Sequence, residues 1–187
     1  MESVTIFQIV AFLLGSIAVT ALSWRSLTNP RCHGFYRFFA FEAILGILVL
    51  NIPFWIKKPF SPAQIVSWLL LIFSLVLVVQ GIFWLRKMGG SAQRTDSPET
   101  FAFENTANLV SEGIYKYIRH PLYSSLLLLA WGGFLKHITI AGGIAAIVAT
   151  AALIITAKMD ERECLDIFGA AYAAYMKQSK MFVPYLF

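Results

Sequence analysis

"RHPLYSSLLLLAWGGFLKHITIAGGIAAIVATAALIITAKMDERE", residues 119–163, decides how this chain folds. A basic opening and an acidic close bracket a long apolar stretch, and within 124–157 its only charged or titratable interruption is Lys136-His137. So brief a break between two apolar segments reads as a tight helical hairpin, which returns the two polar ends to one level. The first arm, 121–135, is short beside the ~20 residues that a span requires. The second runs over 138–157. Gly132, Gly133, Gly142 and Gly143 allow neighbouring helices to come close.

The rest of the chain supports a membrane setting. Of its 187 residues, 58% are hydrophobic and 13% are charged, and the mean hydropathy is +0.70. Soluble domains carry about 25% charged residues, so the composition points to the integral membrane class, and a chain of this length is expected to form one compact bundle without a separate soluble domain. Three further spans are expected, over 4–24, 35–55 and 65–85. Ser61 caps the third, with Pro62 at its first helical position. The N-terminus "MESVTIFQIV" has no basic residue, so the first apolar run is expected to be retained as a span and not cleaved as a signal peptide. Trp24, Trp55, Trp68 and Trp84 lie near span ends and suit interfacial anchoring, as does Tyr117. Asn51 and Gln80 are expected to bond between helices.

The expected fold is therefore an all-α integral membrane protein with five transmembrane helices, a C-terminal helical hairpin and an amphipathic tail helix. It forms one domain over 1–187: three N-terminal spans (1–86), a cytosolic loop with the polar motif (87–120), the hairpin (121–158) and a cytosolic tail helix (159–187). With five spans, twelve of the fifteen Lys and Arg residues fall on one side. The positive-inside rule places that side in the cytoplasm, with the N-terminus outside. Cys32 and Cys164 then face a reducing compartment, where disulfides do not persist. Leu165, Phe168, Tyr172, Tyr175 and Met176 recur at helical spacing over 160–178, where Gly169 is a weak point.

The hairpin brings "RHP" and "DERE" to the same face, and opposite charges converging there look like a site. Pro121 suits the first turn of a helix. The N–H groups of Leu122 and Tyr123 then point back at the loop, where helix starts attract anions. His120 titrates near neutral pH. Tyr115 and Tyr123 offer ring faces to a cationic centre, and Asp160 and Glu161 can accept from hydroxyls or hold a cation. Plainer readings exist. Arg119 can serve as a topological anchor, and the acidic pair can complement the dipole of the tail helix. Glu42, inside the second span, either pairs with a base or faces a substrate pocket. Cys164 is expected to serve packing.

"LVSEGIYKYIRHPLY" (109–123), then "DERECLDIFGAAYAAY" (160–175) and a terminal "VP", resemble the isoprenylcysteine carboxyl methyltransferase family, whose wider group includes phospholipid N-methyltransferases. The resemblance covers 108–184; the first three spans match only in character. It implies a membrane enzyme that binds S-adenosylmethionine in a cytosolic pocket closed by the C-terminal helix, with the acceptor entering between helices. It implies cofactor binding by Leu109, Val110, Tyr115, His120, Pro121, Leu122, Tyr123, Asp160 and Glu161. His120 is the candidate assisting group, no residue is expected to form a covalent intermediate, and Arg119 and Glu42 are substrate candidates. No metal and no nucleic acid are expected; the partners are membrane lipids and a lipophilic small-molecule or lipidated acceptor. The chain departs from the isoprenylcysteine enzymes at Ala107 and Asn108, where they carry His, and at Thr156, where they carry Arg. Its acidic pair is Asp-Glu where theirs is Glu-Glu. The alternatives are a phospholipid or small-thiol methyltransferase, an NADPH-dependent membrane reductase, and a non-catalytic membrane protein.

Overall fold

The computed structural model describes residues 5–90 and 106–186. Val4, Arg94 and most of the long polar loop lie outside the described residues. Among the described residues six α-helices follow in order: α1 (Ile6–Leu27), α2 (His33–Leu50), α3 (Pro62–Met88), α4 (Pro121–Phe134), α5 (Ile140–Phe168) and α6 (Ala170–Gln178). Short 3-10 turns occupy Ile52–Phe54 and Gly113–Lys116. The all-helical fold expected from the sequence is present. Four helices (α1, α2, α3 and α5) are long and apolar enough to cross a membrane. With 14 residues, α4 spans only about 21 Å, against a hydrocarbon core of about 30 Å. Of the five spans expected, four are thus long enough among the described residues, and the one expected to be short is the apolar helix α4.

Local chemistry fixes the helix ends. Thr5 and Gln8 form a capping box at the start of α1. The Gln8 side chain also donates to the carbonyls of Val49 and Leu50, at 3.1 Å each, tying it to the end of α2. Pro62 and Pro121 open α3 and α4, where a missing N–H costs nothing. The Thr139 side chain caps α5 by accepting from Gly142 N–H.

Helix α2 packs along α5, α3 along α4, and α1 leans on α2. Ile44, Ile47, Ala130, Ala146 and Ala149 form one buried cluster between these helices. Close approach occurs at the hairpin glycines, as the sequence suggests. The carbonyl of Gly132 accepts from Ser67 Oγ at 2.7 Å, and that of Gly133 from Asn51 Nδ2 at 2.8 Å. Gln80, by contrast, is exposed. Large side chains on α1 and α3, such as Phe7, Leu14, Phe73 and Val79, point outward, as a lipid-facing surface requires.

The sequence expected a separate tail helix over 160–178. Instead α5 continues for 29 residues through "DERE" and stops at Gly169, which adopts φ +54°. That left-handed conformation is easy only for glycine, and α6 starts immediately beyond it. At about 44 Å, α5 is long enough to cross a bilayer core and still project about three turns of acidic helix beyond it.

The short α4 has a matching explanation. Its first residues lie against Gly81 of α3, where an added Cβ would sit 2.8 Å from Leu122. Helix α3 runs on for two further turns to Met88. The room above α4 is filled by 106–120. There Gly113, at φ +59°, packs so closely on Trp84 that a Cβ would overlap the indole. The polar segment is therefore sunk between the ends of longer helices.

Candidate active site

The segment before α4 is held by the chain end. Arg119 N–H donates to Lys180 O at 2.7 Å, His120 N–H to Met181 O at 3.2 Å, and Lys180 N–H to Tyr117 O at 3.0 Å. Ser124 Oγ adds a bond to Phe182 O at 2.9 Å. Helix α6 is latched over this segment, with Tyr175 Oη donating to Tyr115 O at 2.6 Å.

Beneath the latch lies a cavity of about 420 Å³, walled by five parts of the chain, of which α3 contributes Leu85. The α1–α2 turn contributes Asn29, Arg31, Cys32 and His33. The segment from 106 into α4 contributes Leu109, Val110, Tyr115, His120, Pro121, Leu122 and Tyr123. The outer turns of α5 contribute Asp160, Glu163 and Cys164, and α6 contributes Tyr172 and Tyr175. Helical geometry sorts the acids. Asp160, Glu163 and Cys164 are three and four residues apart and share a face, whereas Glu161 is turned about 100° away, toward Arg119.

Arg119 works mainly as a staple. Its Nε donates to Glu161 Oε1 at 2.7 Å, with both side chains 9% exposed. Its Nη1 donates to the carbonyls of Met176 and Ser179 at the end of α6. His120, almost wholly buried, stands between the two acids. Nδ1 is 3.5 Å from Asp160 Oδ2 and Nε2 is 3.4 Å from Glu161 Oε1. Its ring stacks on Tyr123 at 5.3 Å. Burial disfavours charge on the ring, but hydrogen bonds and attraction from Asp160 and Glu161 outweigh it, so its pKa lies above the ordinary value of 6.5.

Of the residues expected at the site, Leu109, Val110, Tyr115, Arg119, His120, Pro121, Leu122, Tyr123 and Asp160 surround the cavity together. Glu161 braces Arg119 and His120 from behind. Glu42 is not among the lining residues; it accepts from Ser16 Oγ at 2.6 Å, between α1 and α2. Thr156 is fully buried and bonds back to Ala152 O within its own helix. Asn108 Nδ2 reaches Met88 O at 3.5 Å.

Sequence reasoning missed the α1–α2 turn. His33 Nδ1 lies 2.7 Å from Glu163 Oε2, and its backbone N–H donates to Glu163 Oε1 at 2.8 Å. The pair is 130 residues apart in sequence, and nothing local to "RCHGF" signals it. Ligand atoms of His33, Asp160 and Glu163 lie within 4.8 Å of one another. The direct 2.7 Å contact makes His33 and Glu163 a hydrogen-bonded pair, already committed to each other.

The family model for phospholipid methyltransferase matches residues 62–171. This chain belongs to the phospholipid methyltransferase family. The matched region runs from the first turn of α3 through the RHP segment, the hairpin and the acidic turns to the start of α6. It thus contains the family portion of the site, His120 and Asp160 included, while Asn29–His33 lie before it. Three curated relatives are methanethiol S-methyltransferases. One from Pseudomonas deceptionensis is 26% identical over 145 residues, covering 78% of this chain and 48% of the relative. One from a Pseudomonas species is 27% identical over 138 residues, covering 71% and 50%. Methanethiol S-methyltransferase 2 of Bradyrhizobium diazoefficiens is 27% identical over 162 residues, covering 77% and 58%. The chain thus spans about half the length of the curated relatives it matches. No solved structure matches it significantly.

Proposed function

We propose that this chain is a membrane methyltransferase that transfers the methyl group of S-adenosylmethionine to a small thiol. The observation that carries this reading is the cavity itself, where the RHP segment of a methyltransferase family faces Asp160 under the α6 latch. Its volume lies within the ~300–1,000 Å³ of small-molecule sites. Its walls mix aliphatic and aromatic side chains with polar ones such as Asn29, Arg31 and His33, and Asp160 presents a carboxylate suited to hydroxyl or ammonium donors. Leu109, Val110, Tyr115, Pro121, Leu122 and Tyr123 would enclose the methyl donor, and Asp160 would anchor it. Glu161 and His120 keep Asp160 and the RHP segment in register. S-adenosylmethionine supplies a methyl group already activated by its sulfonium centre. The protein's task is then to align the acceptor and exclude water, which in favourable cases supplies ~7–11 kcal/mol of the barrier.

A thiol is favoured over a prenylcysteine carboxylate on two grounds. The relatives named above act on methanethiol. The position where isoprenylcysteine enzymes carry Arg is Thr156, buried against its own helix. The excess of Lys and Arg at the site end of the bundle supports a cytoplasmic site with the N-terminus outside.

The test is methyl transfer by detergent-purified protein. Labelled S-adenosylmethionine is offered with methanethiol, longer alkanethiols, phosphatidylethanolamine and a prenylcysteine acid. Label is expected in the thiols. Label in the phospholipid alone would replace the acceptor and keep the donor. No labelled product, with thermal stabilisation by NADPH and not by S-adenosylmethionine, would overturn the reading.

A further inference from the structure

Because it rests on thiol methylation, the inference concerns the proton that such a reaction must remove. The thiolate is the nucleophile, yet a free thiol with a pKa of ~8.5 is mostly protonated near neutral pH. A group in the cavity must therefore take a proton. His120 is the sequence's candidate, but its position argues against it. Both ring nitrogens face carboxylates, at 3.5 and 3.4 Å, an arrangement that stabilises the charged ring. A ring that already holds both protons has no lone pair to offer.

We infer that His33, oriented by Glu163, is the general base that deprotonates the thiol. Three observations place it there. His33 lines the same cavity as Asp160 and His120. Its Nδ1 contact of 2.7 Å is to a carboxylate oxygen, which can only accept, so Nδ1 carries the hydrogen and the lone pair resides on Nε2. The other oxygen of Glu163 accepts from the backbone N–H of His33 at 2.8 Å. The carboxylate thus grips main chain and ring together, fixing tautomer and orientation at the first residue of α2. Positioned imidazoles braced in this way act as bases elsewhere in enzymology.

The step balances as follows. The thiol S–H gives its proton to Nε2, and Glu163 stabilises the imidazolium. The thiolate sulfur forms a bond to the methyl carbon as the carbon–sulfonium bond breaks, its electron pair staying on the donor's sulfur. Two thioethers result, and the proton leaves His33 for solvent. Other titratable groups face His33 across the cavity. Arg31 and Cys32 lie on its own turn, Tyr115, Arg119 and His120 lie before α4, and Tyr123 lies in its first turn. Asp160, Cys164 and Asp166 line the α5 side, and Tyr172 and Tyr175 stand on α6. A single ionisation is therefore read from a variant, not from the wild-type profile alone.

The experiment compares ethanethiol with thiophenol, which ionises far more readily, as acceptors for wild type, His33→Gln and Glu163→Gln. Values of kcat/KM are taken across pH, and S-adenosylhomocysteine affinity serves as the control for an intact site. His33→Gln is expected to lower kcat/KM for ethanethiol about 100-fold near neutral pH, within the usual range for a general base. The deficit shrinks as pH rises and nearly vanishes for ionised thiophenol, while S-adenosylhomocysteine still binds. Glu163→Gln shows the same pattern, weaker. If His33→Gln loses S-adenosylhomocysteine binding, Glu163→Gln carries the same two-thiol comparison. Equal losses for both thiols at every pH would show that Glu163 merely caps α2 and would overturn the base; so would no loss at all. A wild-type protein that methylates no thiol would overturn the proposed function, and the base with it.

Discussion

The two ends of the helical bundle bury positive charge in different ways. At the end away from the site, Lys136 is 5% exposed. Its ammonium sits 3.5 Å from the ring centroid of Trp68 and 5.3 Å from that of Trp55, and donates to Gln64 Oε1 at 3.1 Å. Gln64 in turn donates to Lys136 O at 3.1 Å, and His137 stacks on Phe54 at 3.7 Å. Burial pushes the Lys136 pKa below its ordinary value, and among the described residues no carboxylate lines the hollow beside it. At the site end, Arg119 and His120 are held by Asp160 and Glu161 around a cavity. Neutral rings and an amide close a helix hairpin, and the hollow of about 470 Å³ beside them offers a ligand no carboxylate among the described residues. Carboxylates that answer buried cations also leave oxygens beside open volume, where a ligand can use them. Buried polarity alone does not mark a site in an apolar chain; paired charge next to space does.

That contrast can be broken by substitution. The largest effect is expected from Arg119→Ala. It strands Glu161 and releases the end of α6, and breaking a buried pair costs about 3–5 kcal/mol. Thermal melting in detergent, together with earlier proteolysis beyond Gln178, measures it. Next is Asp160→Asn. Removing a charge that pairs with a ligand costs at least about 2–3 kcal/mol, so methyl transfer at low donor concentration should fall about 100-fold, with a smaller loss of melting temperature than Arg119→Ala because the contact weakened, to His120, is 3.5 Å long.

A third effect comes from pH. The folded-state pKa of His120 is raised, so the charged ring contributes stability that is fully present below the unfolded value of about 6.5 and is lost as pH rises through the folded value. Wild type should therefore lose melting temperature relative to His120→Gln as pH rises above about 6.5. A parallel pair of curves would remove His120 from the charge cluster. The smallest effect is expected from Lys136→Met. Replacing a buried charge by a similar apolar volume is often close to neutral, so stability should shift by no more than about 1 kcal/mol and activity should be retained. A large loss of activity would make the two ends equivalent and refute the contrast.

Much of this was legible in the sequence where the signal is local. Pro62 and Pro121 marked two helix starts, and the bare Lys136-His137 break fixed the hairpin that returns Asp160 to His120. The extension of α5 through Lys158–Glu163 was not legible. A run of charges after an apolar stretch reads as the end of a span, yet helical hydrogen bonding continues when each acid finds a partner. Here Arg119, His120 and His33 are those partners, and all come from elsewhere in the chain. Gly169 was visible as a weak point, but only its positive φ shows that it ends α5. His33 was invisible for the same reason as the α5 extension. A lone histidine at a span's edge has no pattern, and Glu163 meets it only once α2 packs along α5. The partner of Glu42, Ser16, likewise depends on how α1 leans on α2.

The central claim is that the cavity between the RHP segment and Asp160 holds the methyl donor. Titration calorimetry with S-adenosylmethionine tests it most directly, on wild type, Asp160→Asn and Lys136→Met in the same detergent. The expected result is one saturable site in wild type and Lys136→Met, weakened about 100-fold in Asp160→Asn. Undiminished binding by Asp160→Asn, or none by the wild type, would contradict it.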